Sequence, residues 1–559
     1  MKANAVQIKG KYWASFDCIL LLSLLLVGGF HEYISCLLSV IISAILLVRI
    51  LKHKKLTVRK DLLTSAVVAI CLGYGVTCFW AVDKGMAFIG FLKFLPVGLY
   101  LLYLQQQDRV ADTLRVLPWF GVVTVVITGV AMQLPVGKEL FSVAGRLAGF
   151  FQYPNTYAIF LLTCELLLIK KEHRMPWDYI ALAVLVAGFL YTGSRTAFAV
   201  AVLANVAMLF VLSRKRLRIA MLIGIAVVLL AVGLFALDKN SVMYRYLTIS
   251  LTESTFVGRL LYWQDALPLL LKHPFGMGYM GYYYAQQSIQ TGVYSVVYIH
   301  NDFLQLLLDI GWLPFVLIAA AFVKWFLKKA VLPADKVIVG AICLHSFFDF
   351  NLQYIGILFL LVLLLSGDRA EKTMEVKASA FQKVSLAAVM VVCLYMGTAL
   401  LLSHFGMYTA ADSMYPYNTQ NKLQILEKTE DLNAAKALSE EILEQNTYFY
   451  APYSIRAKYY YTQGNFGAVI ENGRAALERN PFAHEEYEAY CQMLITGIDL
   501  YVKAGDTQSA KACEEELLAA AEQFSKNAQR LSALGKMIKD QPVLELSSEV
   551  QAYVRKIGA

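Results

Sequence analysis

Long apolar stretches fill the first 404 residues and constrain the fold more than any other feature of the sequence. A helix needs roughly 20 mostly apolar residues to cross a bilayer. Charged residues are sparse inside these stretches, but after position 404 they recur every few residues. We therefore predict an all-α fold, with a polytopic membrane domain over 1–404 and a water-exposed domain over 405–559. The candidate spans are about 16–30, 33–51, 62–80, 86–104, 115–134, 156–170, 177–193, 196–213, 217–237, 303–327, 335–348, 352–366 and 384–404.

Basic residues lie beside the apolar stretches and indicate how the membrane domain is oriented. Positively charged loops stay in the cytoplasm, so every second loop is predicted to be cytoplasmic. This arrangement accounts for the net charge of +9 and argues against a nucleic-acid-binding protein. The basic clusters are Arg49–Lys60, Lys170–Arg174, Arg214–Arg218 and Lys324–Lys329, and the predicted extracytoplasmic loops are 81–85, 135–155, 193–195 and 238–302.

The segment HSFFDFNLQ (345–353) decides the number of spans. One long helix over 335–366 would put this polar segment inside the bilayer, at a cost of a few kcal/mol for a central charge. Two short spans with the segment at the outer surface avoid that cost. We therefore expect roughly twelve or thirteen spans, a cytoplasmic segment 369–383 and an extracytoplasmic C-terminal domain. A single long helix would instead leave that domain in the cytoplasm.

An internal repeat marks the C-terminal domain. DLNAA at 431–435 matches NFGAV at 465–469, and LEQN at 443–446 matches LERN at 477–480. The common offset of 34 residues is typical of tetratricopeptide repeats, which present a concave surface to partners. A generic domain of helical hairpins is the alternative. Two cysteines of this domain, Cys491 and Cys513, could pair, but their spacing does not decide it.

Polar motifs occur in the loops predicted to be extracytoplasmic. GRLAGFFQYPN (145–155) contains Arg146 and Asn155, and the tight turn TGSRT (192–196) contains Arg195. Taken singly, each has an ordinary interpretation, such as an interfacial arginine whose charged end reaches water.

Two further motifs lie in or next to the long loop 238–302. Arg259 follows Gly258 and precedes HPFGMG (273–278), and His300 and Asn301 open a predicted helix. A histidine at this position could simply cap its neighbours. Together, however, three arginines and a histidine on one membrane face favour an anionic lipid headgroup such as a diphosphate. Guanidinium groups bind phosphate oxygens in pairs and keep their charge, and a neutral histidine can accept a proton from a hydroxyl.

Motifs for metals and nucleotides are absent from the sequence. There is no Walker loop, no dinucleotide fingerprint in a βαβ pattern, and no CxxC or Cys/His cluster with metal-ligand spacing. We therefore expect neither a metal nor another cofactor.

The polar motifs, taken in order, resemble the bacterial O-antigen ligase and polymerase superfamily. The motifs are GRLAGFFQYPN, TGSR, VGR followed by HPFGMGY, HNDFLQLLLDIGW and HSFFDFNLQ. The resemblance extends over roughly 60–400 and is strongest at 140–366. It implies an enzyme of the bacterial cytoplasmic membrane that moves a glycan from undecaprenyl diphosphate to an acceptor hydroxyl on the outer face. The acceptor would be a polysaccharide, a protein or a lipid, and the appended repeat domain, present in some members, would offer a surface to a protein partner.

The resemblance also implies roles for individual residues. Arg195 and Arg259 would hold the diphosphate, and His300 would activate the acceptor hydroxyl. Asn301 would orient His300. The residues assigned to substrate binding with less support are Arg146 and Asn155 on the donor side, and His345 and Asp349, which would either line the site or form a hydrogen-bonded pair in a loop.

A transporter or flippase is the main alternative to an enzyme. It predicts charged residues at the bilayer midplane and two repeated halves, whereas we expect the charges of this chain to lie at the ends of spans. A non-catalytic scaffold that works through the repeats is a second alternative, but it gives no reason for arginines on the outer face.

Overall fold

The computed structural model describes residues 17–107, 110–171, 173–212, 215–366, 373–538 and 544–558. Arg214, part of one predicted cytoplasmic cluster, lies outside the described residues. The fold is mainly helical, as predicted. The chain divides into two compact units, the first formed by Met1–Cys71, Leu92–Ile249 and Val316–Leu394, and the second by Leu72–Phe91, Ser250–Phe315 and Tyr395–Ala559. The C-terminal region thus shares its unit with two segments from the first 404 residues.

Eighteen described helices precede the C-terminal region, some of them only one or two turns long. They are α1 (Cys18–Leu25), α2 (Glu32–His53), α3 (Leu62–Thr77), α4 (Lys84–Leu104), α5 (Val110–Ala131), α6 (Pro135–Phe141), α7 (Pro154–Lys170), α8 (Pro176–Tyr191), α9 (Arg195–Val211), α10 (Lys215–Phe235), α11 (Tyr244–Leu247), α12 (Ser254–Lys272), α13 (Gly281–Ile289), α14 (Asp302–Ile310), α15 (Trp312–Leu327), α16 (Pro333–Ser346), α17 (Ile355–Leu365) and α18 (Ala380–His404).

The predicted membrane character is confirmed by several of these helices. By length and composition, α2, α4, α5 and α18 can cross a bilayer, and six shorter described helices are also apolar: α3, α8, α9, α10, α15 and α17. The total of twelve or thirteen spans stays a prediction.

The core of the first unit is built on helices that are apolar on all sides. Every residue of α17 is buried, as are nearly all of α7, which is expected of helices surrounded by other helices. Helix α7 packs against α5, α8, α9 and α16. Prolines at the first position start α7, α8 and α16, where their missing N–H costs no hydrogen bond.

The segment HSFFDFNLQ separates two helices, as predicted. Helix α16 ends at Ser346 and α17 begins at Ile355, with a short 3-10 turn over Asn351–Gln353 between them. Asp349 and Asn351 are fully buried in this break. Their side chains are hydrogen-bonded to other polar groups, so the break removes the need to bury unpaired polar groups in a continuous helix.

A pair of strands in the first unit was not predicted. Strand β1 (Lys55–Arg59) runs antiparallel to β4 (Thr373–Lys377), with Lys55 opposite Lys377 and Arg59 opposite Thr373. Both strands belong to segments predicted to be cytoplasmic. A second, smaller pair joins β2 (Ser142–Val143) to β3 (Arg146–Leu147).

The C-terminal region is helical and repeats at the predicted period. Helices α21 and α23 have equal length at an offset of 34 residues, and the residues that cap them, Asp431 and Asn465, each accept a hydrogen bond from the backbone three positions on. The repeat is thus present in the structure, while its likeness to tetratricopeptide repeats stays a prediction. The helices are α19 (Tyr408–Met414), α20 (Thr419–Glu427), α21 (Leu432–Gln445), α22 (Ala451–Thr462), α23 (Phe466–Arg479), α24 (His484–Ala504), α25 (Thr507–Gln529), α26 (Ala533–Met537) and α27 (Ser548–Ile557).

The two cysteines of this region are not paired with each other. Cys491 and Cys513 are buried free thiols that belong to one apolar cluster with Leu494 and Leu517. They act as small apolar side chains.

A buried carboxylate anchors the C-terminal region within the second unit. Asp83, just before α4, accepts hydrogen bonds from Thr419 Oγ1 at 2.5 Å and Asn446 Nδ2 at 3.2 Å. Nearby, the Tyr415 hydroxyl donates to the carbonyl of Gly85 at 3.0 Å. The loop 81–85 and the region after α18 therefore contact each other directly.

Candidate functional site

The eight residues that the sequence singles out are distributed over both units. Arg259, His300 and Asn301 belong to the second unit. The first unit holds the remaining five, which are Arg146, Asn155, Arg195, His345 and Asp349.

A hydrogen-bonded chain in the first unit joins three of the predicted residues. Arg146 Nη2 donates to Asn155 Oδ1 at 2.7 Å, and Asn155 Nδ2 donates to Asp349 Oδ2 at 2.8 Å. The Tyr153 hydroxyl donates to the other carboxylate oxygen of Asp349 at 3.0 Å. GRLAGFFQYPN and HSFFDFNLQ therefore form one polar network, in which Asp349 fixes Asn155 and Asn155 fixes Arg146.

His345 lies in an adjoining part of the same break between helices. Its Nδ1 is 2.8 Å from Asn351 Nδ2, and Thr156 Oγ1 donates to Asn351 Oδ1 at 3.2 Å. His345 is fully buried at the end of α16. At this position His345 can stabilise the loop between α16 and α17 through Asn351.

Two arginines hold the tight turn at 192–194. Arg195 Nε donates to the carbonyl of Arg245 at 3.1 Å, and Arg245 Nε donates to the carbonyl of Gly193 at 3.1 Å. A side chain at Gly193 would come within 3.2 Å of Arg245 Cδ, and its φ of +57° also favours glycine. The glycine therefore allows Arg245 to cover the turn.

Arg146 adds a third guanidinium to this turn, since its Nε donates to the carbonyl of Thr192 at 2.7 Å. Burial lowers the pKa of Arg146 to about 10, and the positive charge of Arg245 contributes to the same shift. Arg146 stays protonated at neutral pH. Three positive charges, on Arg146, Arg195 and Arg245, are therefore concentrated around one turn, which we call the arginine turn. A dense positive charge of this kind attracts anions, and guanidinium groups suit an anion with several oxygens.

In the second unit, His300 has an unusual backbone conformation. Its φ is +54°, in the left-handed region that residues other than glycine rarely adopt and that is frequent at functional sites. The next residue, Asn301, caps α14 by accepting hydrogen bonds from the backbone N–H groups of Phe303 and Leu304. Asn301 thus fixes the backbone that carries His300.

The residues on both sides of His300 are also fixed. The Trp263 indole N–H donates to the carbonyl of Ile299 at 3.2 Å, and the N–H of Ile299 donates to Gln305 Oε1 at 3.1 Å. Gln305 in turn donates to Asp309 Oδ1 at 2.8 Å. This network lies within α12, α14 and their connection, and it holds the histidine in one place.

Arg259 and His300 share a neighbour. Tyr262 lies one turn after Arg259 on α12, on the same face, and its ring centroid is 6.3 Å from that of His300. Burial raises the pKa of Tyr262, and the positive charge of Arg259 opposes the rise, as expected of adjacent groups. The structure therefore brings the predicted base and one predicted arginine close to the same tyrosine.

Two residues make specific contacts in the structure although the sequence does not single them out. Arg245 lies in a four-residue helix without a motif, so that nothing in its local sequence distinguishes it. Lys93 corrects the expectation that charges lie at the ends of spans. It lies inside α4, fully buried, with Nζ at 3.1 Å from Glu32 Oε1 and 5.0 Å from the ring of Phe30.

Among the described residues, no group of three or more His, Cys, Asp or Glu side chains is arranged to hold a metal ion. The expected independence from metals stays a prediction.

Comparison with known proteins gives one result that bears on function. No curated protein matches the chain. The family model described as O-antigen ligase matches residues 180–319, a quarter of the chain that includes Arg195, Arg259, His300 and Asn301. Over that quarter of the chain, the match supports the predicted resemblance to the O-antigen ligase superfamily.

Proposed function

We propose that the protein transfers a glycan from undecaprenyl diphosphate to an acceptor hydroxyl on the outer face of the bacterial cytoplasmic membrane, without a metal. The observation that carries the proposal is the match over 180–319, because it includes both the arginine turn at Arg195 and the strained His300. Positive charge and a fixed base are the two requirements of this reaction.

The arginines act on the leaving group. As the bond between the sugar and the diphosphate breaks, negative charge grows on the phosphate oxygens, and fixed guanidinium groups stabilise that charge. We assign this role to Arg195 and Arg259, with Arg146 and Arg245 as additional donors. The contacts of Arg195 with Arg245 and Thr248 restrict its side chain before substrate binds.

His300 acts on the acceptor. The acceptor oxygen forms a bond to the anomeric carbon while the bond from that carbon to the diphosphate breaks, and the hydroxyl proton moves to His300. General base catalysis of this kind contributes about 10²–10⁴-fold to the rate. A single displacement inverts the anomeric centre.

Two sets of contacts support the proposed orientation of the chain. The pairing of β1 with β4 supports a common side of the membrane for the segments before α3 and before α18. The bonds of Asp83 likewise support a common side for the segments after α3 and after α18. Because the segment around β1 is basic, the positive-inside rule favours a cytoplasmic location for it and an extracytoplasmic one for the C-terminal region.

Transport of a lipid-linked glycan is the second candidate function. The ion pair of the buried Lys93 with the half-buried Glu32 favours it, because an ionisable residue inside a membrane helix often marks a transport pathway. The two candidates differ in their product, since a transporter leaves the glycan on its carrier.

The test uses the full-length protein in nanodiscs, with undecaprenyl-diphosphate glycan and envelope polysaccharide extracted from the source cells, in the presence of EDTA. Wild-type protein should release undecaprenyl diphosphate and lengthen or modify an acceptor. Arg259→Ala should lose this activity, whereas Arg555→Ala, an exposed change near the C-terminus, should keep it. Unaltered donor with wild-type protein, or full activity of Arg259→Ala, would overturn the proposal.

A further inference from the structure

A groove lies in the second unit, between the end of α13 and helices α23 to α25. Its volume is about 600 Å³, within the range of roughly 300–1,000 Å³ that is usual for sites that bind small molecules. One wall is the segment 288–291 and the other is formed by C-terminal helices. We call it the repeat groove.

Polar side chains in the floor of the repeat groove are held in fixed positions. Glu516 is only 5% exposed, and it accepts hydrogen bonds from Arg474 Nε at 2.7 Å and from the Tyr490 hydroxyl at 2.8 Å. Asn527, which is 3% exposed, donates to the Tyr487 hydroxyl at 3.1 Å and accepts from Gln523 Nε2 at 2.7 Å. These internal hydrogen bonds fix the polar side chains of the groove lining in place.

The wall formed by the segment 288–291 is tied to the helix that carries Arg259. Thr291 donates to Asp265 through its backbone N–H at 2.9 Å and through its hydroxyl at 2.6 Å. Its carbonyl accepts from the backbone N–H of Ser532 at 2.8 Å. Asp265 lies six residues after Arg259 on α12, a separation of about 9 Å along the helix axis. The repeat groove and the predicted catalytic residues are thus connected by one rigid element.

We propose that the repeat groove binds the acceptor of the transfer reaction, and that this acceptor is a glycan chain. The inference rests on the proposed function. The charges that line the groove balance, with Arg474 and Arg530 against Glu478 and Glu516, so a ligand with a strong net charge gains little. Sugar hydroxyl groups both donate and accept hydrogen bonds. The exposed side chains in the groove lining offer partners of both kinds, namely Arg474, Glu478, Gln523 and Arg530.

Apolar side chains complete the lining of the repeat groove. Leu477, Phe482 and Tyr487 line it, with only small exposed fractions of 7%, 5% and 1%. The combination of an apolar surface with a few fixed polar groups is characteristic of sites that bind small polar ligands. A glycan acceptor would make the enzyme a polymerase, or a ligase that extends an existing chain, rather than one that modifies lipid.

The test measures binding directly, by calorimetry on the full-length protein in nanodiscs. The probes are short oligosaccharides prepared by partial hydrolysis of the source cells' envelope polysaccharide, and a peptide pool from the same envelope. Ala519→Trp places an indole in the repeat groove at an exposed helix position. Ala437→Trp makes the same change at an exposed position of α21, outside the groove lining. Gln523→Ala, also exposed, is a second and milder change.

Oligosaccharide should bind wild-type protein and Ala437→Trp equally, and Ala519→Trp at least about tenfold more weakly because of the steric clash. Gln523→Ala should show a smaller loss, and it decides the result if Ala519→Trp does not fold. Equal binding by all variants, no binding of oligosaccharide to wild-type protein, or binding of peptides alone would overturn the proposal.

Transfer assays separate this proposal from the proposed function. If wild-type protein binds oligosaccharide in the repeat groove but shows no transfer, the proposed function is refuted and glycan binding by the groove stands. If Ala519→Trp transfers glycan with a wild-type KM for the acceptor, the role of the groove is refuted and the proposed function stands.

Discussion

Asn155 donates a hydrogen bond from Nδ2 to Asp349 Oδ2 at 2.8 Å, although 194 positions separate the two residues. Through its own Oδ1, Asn155 also fixes Arg146. The amide is the only one of the three groups that both donates and accepts, so it links the carboxylate to the guanidinium, which the carbonyl of Thr192 holds as well.

The link predicts a specific effect of Asn155→Ala. Arg146 loses an acceptor, so the KM for the lipid-diphosphate donor should rise about tenfold, which corresponds to roughly 1.4 kcal/mol, while kcat changes less. Asn240→Ala, an exposed change in the same unit, is the control. Steady-state kinetics in nanodiscs would measure both, and a donor KM within error of the wild-type value would refute the role given to Asn155.

Arg245 is expected to matter although no motif marks it. Arg245→Ala removes one charge from the arginine turn and the hydrogen bond that Arg245 donates to the carbonyl of Gly193. Binding of the lipid-diphosphate donor should therefore weaken about tenfold. Arg245→Lys should restore little, because an ammonium group lacks the planar fork of a guanidinium. Arg115→Ala, with a side chain that is 80% exposed, is the control.

Donor affinity for the Arg245 variants can be measured by fluorescence anisotropy of a labelled undecaprenyl-diphosphate glycan. Full restoration by lysine would show that only the charge matters. An unchanged affinity of Arg245→Ala would exclude Arg245 from the site.

Asp83 predicts how the stability of the second unit depends on pH. Burial raises the pKa of Asp83 above its ordinary value of 3.8. The folded state therefore favours the protonated carboxyl, and the stabilisation from this shift is lost as the pH rises through the raised value. Asp83→Asn removes the titrating group but keeps an amide that can accept a hydrogen bond.

Thermal unfolding at a series of pH values, from about 4 to about 7, should therefore show wild-type Tm falling relative to Asp83→Asn as the pH rises. Asp83→Ala should be less stable than Asp83→Asn, because it leaves the donors on Thr419 and Asn446 without this acceptor, at about 1–3 kcal/mol for each buried group. A constant difference between wild type and Asp83→Asn across the pH range would contradict this account.

The orientation of the chain can be checked by cysteine labelling. None of the nine cysteines is in a disulfide, so a cysteine-free background breaks no disulfide. In that background, Lys511→Cys in the C-terminal region should react with an impermeant maleimide in intact spheroplasts. Lys55→Cys on β1 should react only after lysis. The reverse pattern would place the C-terminal region in the cytoplasm.

Local patterns in the sequence predicted much of the fold, and the reasons are physical. The apolar stretches, the 34-residue repeat and the break at HSFFDFNLQ are each encoded within a short window. The pairing of Lys55–Arg59 with Thr373–Lys377 is not, because neither strand carries information about a partner more than 300 positions away. The same limit hid Arg245, whose partner Gly193 is 52 positions away in the chain.

Lys93 was overlooked for a different reason. Its surroundings in α4 are so apolar that a single charge does not interrupt the predicted span, and only the structure shows Glu32 and Phe30 beside it. The polar network of Arg146, Asn155 and Asp349 was predicted residue by residue, whereas its connectivity follows from the packing of α7 against α16.

The most direct test of the central claim is the single-turnover rate of glycan transfer by His300→Ala, measured in nanodiscs with saturating lipid-diphosphate donor and acceptor. Loss of a general base predicts a rate about 10²–10⁴-fold below that of wild type, with donor affinity unchanged because the arginines remain. A His300→Ala rate within about threefold of wild type would fall far short of the expected contribution of a base, and it would contradict the assignment of His300.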